Sequence, residues 1–192
     1  RRFTMGQMLA GDIRKGATFE YKSGVYTVTD FQHVKPGKGA AFVRTTLKNV
    51  VTGQVLSNET FNPTTKLETV DVETKKMTYS YYDGSEFYVF MDDEFNTIEL
   101  TKDQCADALN FIKENDVVTV RFLYGKAFSV EPENFVELKV IEADPGVKGN
   151  TATNAMKRAK VETGYELQVP MFVNEGETIR IDTRSGEYMS RV

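Results

Sequence analysis

From Thr18 to the last residue, apolar and β-branched positions come in short runs separated by turn signals, and nearly every run reads as a strand. In the first third the runs are Thr18–Lys22, Val25–Phe31, Ala41–Asn49 and Gln54–Phe61. They are divided by Lys22-Ser23-Gly24, by a Pro/Gly-rich stretch over 33–42, and by Val51-Thr52-Gly53. Four or five strands in about 65 residues suit a small SH3-like barrel, and Pro63-Thr64-Thr65-Lys66 reads as the linker out of it. The middle third gives Val70–Glu73, Met77–Tyr82, a tight Asp83-Gly84 turn, Glu86–Met91, Thr97–Leu100, a helix near 102–114, Val117–Leu123 and Ala127–Val130. Residues 105, 108, 109 and 112 form the apolar face of that helix. Five strands with one helix inserted late outline an oligonucleotide-binding (OB) fold. The last third, with Val136–Glu142, Ala159–Val161, Glu166–Phe172, Glu177–Asp182 and Tyr188–Arg191, matches the middle third without its helix. The pattern predicts an all-β chain of three domains: 1–66, SH3-like; 67–131, an OB barrel; and 132–192, a second OB barrel.

Composition narrows the chemistry. One cysteine and one histidine in 192 residues exclude an internal disulfide and a His/Cys metal site, and fit a cytoplasmic protein. No apolar run approaches the 18 residues of a membrane span, and the segment before Ala10 is too short and broken for a signal peptide. Cys105 reads as a small buried hydrophobe, His33 as a strand or loop residue with a satisfied hydrogen bond, and the carboxylates are too scattered for a paired-acid hydrolase. The chain reads as a non-enzyme without cofactor or metal. Its net charge of −4 is unevenly spread: residues 1–67 carry ten Lys and Arg against four Asp and Glu, residues 68–130 six against thirteen. A basic first third suits phosphates, the acidic middle solvent or a basic protein.

Against that charge pattern, the stretch from His33 to Phe42 acquires a meaning. Lys38 stands between Gly37 and Gly39, after Pro36, with Lys35 just before and Arg44 just after. Glycine supplies the positive φ of a tight reversal, leaving Lys38 as the long side chain at the tip. Four or five residues of strand extension carry it about 15 Å from the domain body. The plain alternative is a solvated hairpin turn. A nucleotide-binding P-loop is excluded, because the GxxxxGK[ST] spacing is missing and no helix pattern follows. Tyr79, Tyr81, Tyr82, Phe87, Tyr88 and Phe90 make an aromatic hairpin in which alternation puts 79 and 81 on one face and 82 on the other. Such a hairpin serves as barrel core or as a base-stacking platform, and the core reading is the simpler.

Six motifs in order, spanning about Gly11 to Val192, resemble the bacterial elongation factor P family. They are Phe31 to Arg44 around the lysine tip; Thr60-Phe61-Asn62-Pro63-Thr64; Tyr81-Tyr82-Asp83-Gly84 with Phe90-Met91-Asp92; and Asn134 to Leu138 leading to Asp144-Pro145-Gly146-Val147-Lys148-Gly149. Lys157-Arg158-Ala159 with Gly164 and Val169 to Val173 follow, and Ile181 to Val192 closes the set. The resemblance implies an SH3-like (KOW-type) domain and two OB domains in an L shape like tRNA. It implies a factor that binds both ribosomal subunits beside peptidyl-tRNA and promotes peptide-bond formation at consecutive prolines, acting as a monomer.

In that family Lys38 corresponds to a lysine modified by a dedicated enzyme. Pro36, Gly37 and Gly39 shape its turn, and Lys35 and Arg44 are candidates for phosphate contacts. Gly149, Asn150 and Thr151 match a loop at the exit-site mRNA, with Asn150 where the family commonly has Asp. Arg184, Tyr188 and Arg191 match residues near the small subunit. Two other classes compete. A generic single-strand-binding OB module conflicts with the acidic middle third. An enzyme using Lys38 as a Schiff-base nucleophile conflicts with an exposed tip.

Overall fold

The computed structural model describes residues 4–146 and 155–192. Among them the regular secondary structure is nearly all strand, in three sheets. The first contains β1 (Thr4–Leu9), β2 (Thr18–Tyr21), β3 (Gly24–Val34), β4 (Phe42–Asn49), β5 (Val55–Phe61) and β6 (Lys66–Val70), in the order β1-β6-β2-β3-β4-β5. The second contains β7 (Glu73–Tyr82), β8 (Phe87–Met91), β9 (Thr97–Thr101), β10 (Val117–Leu123) and β11 (Lys126–Pro132), in the order β11-β10-β7-β8-β9. The third contains β12 (Phe135–Ala143), β13 (Met156–Val161), β14 (Glu166–Pro170), β15 (Thr178–Asp182) and β16 (Glu187–Arg191), in the order β14-β13-β12-β15-β16. The all-β class agrees with the sequence reading, and so do the strand runs except Val70–Glu73, which straddles the break between β6 and β7 at residues 71–72.

Two compact units result. One runs to Glu73 and includes Phe122–Phe128; the other comprises Thr74–Arg121 and Ser129–Val192. In the first, Ala10, Ile13, Phe19, Tyr26, Val28, Leu47, Phe61 and Leu67 form one core, and Val70, Leu123 and Phe128 a smaller cluster. In the second, Phe111 joins Leu138, Val140, Val161, Val169, Ile179 and Ile181 in the third sheet's core.

Local chemistry explains the turns. Lys22 and Ser23 link β2 to β3 with φ of 45° and 64°, and Tyr124 and Gly125 link β10 to β11 at 51° and 79°. Two successive positive φ values match the right-handed twist of the flanking strands. The Asp83 carboxylate accepts the backbone N–H of Ser85, Glu86 and Phe87 at 2.8, 2.9 and 3.1 Å, closing the β7–β8 turn.

Three expectations change. The helix over 102–114 is only α1 (Lys102–Cys105), followed by a 3-10 turn over Ala106–Asn110. Thr101 and Gln104 start it with a capping box, and Ala106, at φ 47° and ψ −130°, breaks it. The apolar spacing was still informative, because Cys105, Ala108 and Ile112 are all buried. Lys66, read as linker, begins β6, which pairs with the unanticipated β1 from Leu9↔Lys66 to Thr4↔Val70. Finally, a bulge between Tyr79↔Phe90 and Tyr81↔Val89 puts Tyr79 and Tyr81 on different faces. Tyr79 and Phe90 are core; Tyr81 and Tyr82 are exposed, with Tyr82 stacked on Tyr88 at 4.5 Å.

Candidate functional site

The lysine loop is carried by β3 and β4. Their pairing runs from Tyr26↔Asn49 to Val28↔Leu47 and, after a one-residue shift, from Asp30↔Thr46 to Val34↔Phe42. β5 accompanies β4 as far as Val43↔Phe61. Three strands therefore support the hairpin almost to its end, and only the Val34↔Phe42 pair extends past β5 before the loop opens.

Alternation divides β4 between two environments. Val43 and Thr45 point into the fold at 0% and 1% exposure, whereas Arg44 is exposed. Its guanidinium carbon lies 5.6 Å from the ring centre of Phe42, its neighbour on the same face. Phe42 is a residue the motif reading did not single out, although i, i+2 alternation on a strand would have paired it with Arg44. His33 lies in β3 opposite Val43, with its ring edge-on to Phe31 at 5.7 Å.

Every residue from Lys35 to Ala41 is exposed, Pro36 and Lys38 included. The two glycines differ. Gly39 has φ +106°, which an L side chain rarely adopts; Gly37 has no positive φ and open space where a Cβ would sit. The reversal therefore needs Gly39, and Gly37 only leaves room. Among the described residues, Lys35, Lys38 and Arg44 have no carboxylate partner. The arm thus ends in three uncompensated cations on a sheet-supported stem.

The third sheet presents its cations differently. Arg184, in the β15–β16 turn, makes a fork-on-fork bond to Asp182, Nε to Oδ1 at 3.0 Å and Nη2 to Oδ2 at 2.9 Å, and lies 5.2 Å over the Phe135 ring. This bond holds the Asp182 carboxyl below its ordinary range and lifts Arg184. Arg191 pairs with Glu177 at 3.4 Å and stacks on Phe172 at 4.6 Å. Tyr188 is half-buried, packed against the core. Arg191 lies opposite Ile179 and Arg184 beyond Asp182, so the two arginines sit at opposite ends of the β15–β16 hairpin, about 15 Å apart. The sequence grouped these three residues; the structure spaces them along one hairpin. Gly149, Asn150 and Thr151 lie outside the described residues.

No cluster of His, Cys, Asp and Glu suitable for a metal occurs among the described residues. Cys105 is 1% exposed, as the buried-hydrophobe reading expects. No helix of the described residues is long and apolar enough to cross a membrane.

Comparison with known proteins identifies three family models along the chain. "Elongation factor P (EF-P) KOW-like domain" matches residues 9–67, "Elongation factor P (EF-P) OB domain" residues 72–130, and "Elongation factor P, C-terminal" residues 136–191. The KOW-like and OB assignments agree with the barrel order read from the strand runs. "Elongation factor P" of Clostridium novyi is 60% identical over 184 residues, covering 95% of this chain and 98% of the relative. "Elongation factor P" of Clostridium acetobutylicum is 59% identical with the same coverage. Among solved structures, "Eukaryotic translation initiation factor 5A from Methanococcus jannaschii" aligns at 16% identity with a TM-score of 0.44, covering 66% of this chain and 92% of that chain.

Proposed function

We propose, from the premise that this chain belongs to the elongation factor P family of bacterial translation elongation factors, that it binds the ribosome beside peptidyl-tRNA and speeds peptide-bond formation at consecutive prolines by steadying the tRNA's terminal CCA with Lys38. The observation that carries this reading is the arm itself: Lys35, Lys38 and Arg44 are exposed and without a carboxylate partner among the described residues, at the end of a three-stranded support.

Proline's ring restricts its geometry as donor and acceptor. A stalled pair therefore gains more from orientation than from another acid or base, and orientation alone removes a large part of the barrier. A lysine ammonium on a four-carbon stem is a mobile point charge suited to a phosphate track, while the planar guanidinium of Arg44, and Lys35, hold the flanking backbone. No proton passes to or from the protein, so the factor works without enzymatic chemistry or cofactor. A dedicated enzyme extends Lys38 covalently, which the exposure of the loop permits. Gly149, Asn150 and Thr151 meet mRNA at the exit site, and Arg184, Tyr188 and Arg191 face the small subunit. The factor works as a cytoplasmic monomer with domains at 1–66, 67–131 and 132–192.

The test is a reconstituted translation assay on a polyproline message. Lys38→Ala removes the stimulation while ordinary messages are read normally, and Lys35→Ala and Arg44→Ala raise the concentration of factor required. Full stimulation by Lys38→Ala refutes the assignment. Intact mass of the loop peptide from native cells identifies the group attached to Lys38.

A further inference from the structure

β4 is flanked by a bulge on each side at the same level. On the β3 side, Val28 pairs with Leu47 and Asp30 with Thr46, so Thr29 is extra. On the β5 side, Leu56 pairs with Leu47 and Glu59 with Thr45, so Ser57 and Asn58 together face Thr46. Asn58 takes φ 61° to do so, and Thr29 Oγ1 donates to the Thr46 carbonyl at 3.2 Å. A bulge bends its strand and raises the local twist. Two bulges opposite Thr46 therefore set the direction in which the outer section, Asp30–Val34 with 42–45 and 59–61, leaves the barrel.

Glu59 is the first residue past the bend. Its backbone carbonyl accepts the Thr45 hydroxyl at 2.9 Å, within the outer section. Its carboxylate reaches back to the barrel, accepting a short hydrogen bond from Tyr21 Oη and bonds from Lys22 Nζ at 3.3 and 3.4 Å. Tyr21 is partly buried and packs against the core through edge-on contacts to Phe19, Tyr26 and Phe61 at 6.5, 6.0 and 5.2 Å. Lys22 and Ser23 form the adjoining two-residue turn, both in the left-handed region without a glycine. Burial and then the bond to Glu59 raise the Tyr21 phenol, and that bond is the main cause lowering Glu59, so the proton stays on the phenol and the charge on the carboxylate.

We infer that Glu59 is a latch: with Tyr21 and Lys22 it ties the outer section of β3–β4–β5 to the β2–β3 turn and so fixes the direction in which the Lys38 loop is presented. Glu59, Tyr21 and Lys22 are positioning residues, acting through the arm rather than on the tRNA. The inference rests on the reading of Lys38 as the acting group, since a stiff arm matters only if its tip must be placed.

Two measurements on the full chain test it. The first needs no ribosome: nitroxides on Lys38→Cys and Val51→Cys, in a Cys105→Ala background, report the distance from the tip to the exposed β4–β5 turn at the base. Adding Glu59→Ala broadens that distance distribution, and adding Tyr21→Phe, which keeps the ring packing, broadens it less. Distributions as narrow as the parent's overturn the latch. The second is polyproline peptide-bond formation with Lys38 intact. Glu59→Ala lowers the maximal rate at saturating factor by about tenfold while the half-saturating concentration changes little, because loss of alignment acts on the reaction step. An unchanged maximal rate with a broadened arm overturns its part in positioning. If the unaltered factor fails to stimulate polyproline synthesis, the reading of Lys38 falls, and the distance measurement still decides the latch.

Discussion

Gly186 and Tyr165 should be energetically inseparable. Gly186 closes the β15–β16 turn that carries Arg184; it is buried, with φ +77°. Its N–H donates to the Asp182 carbonyl at 2.7 Å and its carbonyl accepts Tyr165 Oη at 2.9 Å. Burial raises the Tyr165 phenol, which keeps the donor proton in place at neutral pH. A Cβ added at Gly186 would fall inside the van der Waals sphere of that same Oη, with Tyr165 Cζ next at 3.4 Å. Gly186→Ala therefore costs about 1 kcal/mol of left-handed strain. The displaced hydroxyl adds about 1 kcal/mol of lost hydrogen bond, and forcing the ring aside about 1–2 kcal/mol, for a total of roughly 3–4 kcal/mol. Tyr165→Phe alone costs about 1 kcal/mol, and it also removes the atom in the way. In the double variant the alanine then pays only the strain, so the pair is roughly 2–3 kcal/mol less destabilised than the two single costs added together. The chain has no tryptophan, so urea unfolding of the four proteins is followed by far-ultraviolet circular dichroism. Additive costs would refute the reasoning, because they would mean that the hydroxyl does not occupy the space a Cβ needs.

Gly39→Ala, at φ +106°, distorts the tip and lowers polyproline activity, whereas Gly37→Ala, with open space at its Cβ, leaves stability within about 0.5 kcal/mol; thermal melts and the translation assay separate the two. Asp92 is held well below the ordinary carboxylate range, chiefly by Lys75 Nζ at 2.7 Å, and Asp83 and Asp182 are lowered by their own hydrogen bonds. Depressed carboxyls contribute stability that is complete above their unfolded value and lost as pH falls below about 4. A melting temperature that declines there, and less so in Asp92→Asn, is the expected result. Binding to ribosomes loses salt dependence with Lys35→Ala or Arg44→Ala, by about one unit of log–log slope each. Arg180→Ala, whose cation already faces Glu137 at 3.4 Å, changes it little.

The parts of this fold that sequence reveals are those written in turn chemistry and period-2 runs. The lysine loop was visible because Pro36, Gly37 and Gly39 interrupt two β-branched runs, and its strands lie within a few residues of where those runs place them. Bulges leave no such mark. Thr29, Ser57 and Asn58 are polar residues in half-exposed strands, where one extra position does not break a hydrophobic alternation, and the bulge after Tyr79 reversed the expected face of Tyr81. The helix was over-read because i, i+3, i+7 burial of Cys105, Ala108 and Ile112 is also satisfied by one helical turn, a left-handed residue and a 3-10 turn. Glu59 was invisible as a partner of Tyr21 and Lys22, which stand 38 and 37 residues away along the chain.

Exposed positive charge and a sheet-supported stem coincide in this arm. In the third sheet, Arg158 meets Glu142, Asp144 and Glu166, Arg180 meets Glu137, Arg184 meets Asp182 and Arg191 meets Glu177. Such exposed pairs contribute little to stability, but each gives an incoming phosphate a carboxylate to displace. Lys35, Lys38 and Arg44 present no such obstacle among the described residues, so a phosphate track meets their charge at full strength. A free cation on a floppy loop would bind without aligning. Here β5 braces β4 to Val43, the Thr45 hydroxyl bonds the two strands, and only the loop and the lysine stem lie beyond the last β3–β4 pair. Positive charge and backbone support thus coincide in the arm, which is what a protein needs if it is to accelerate a reaction by placement alone.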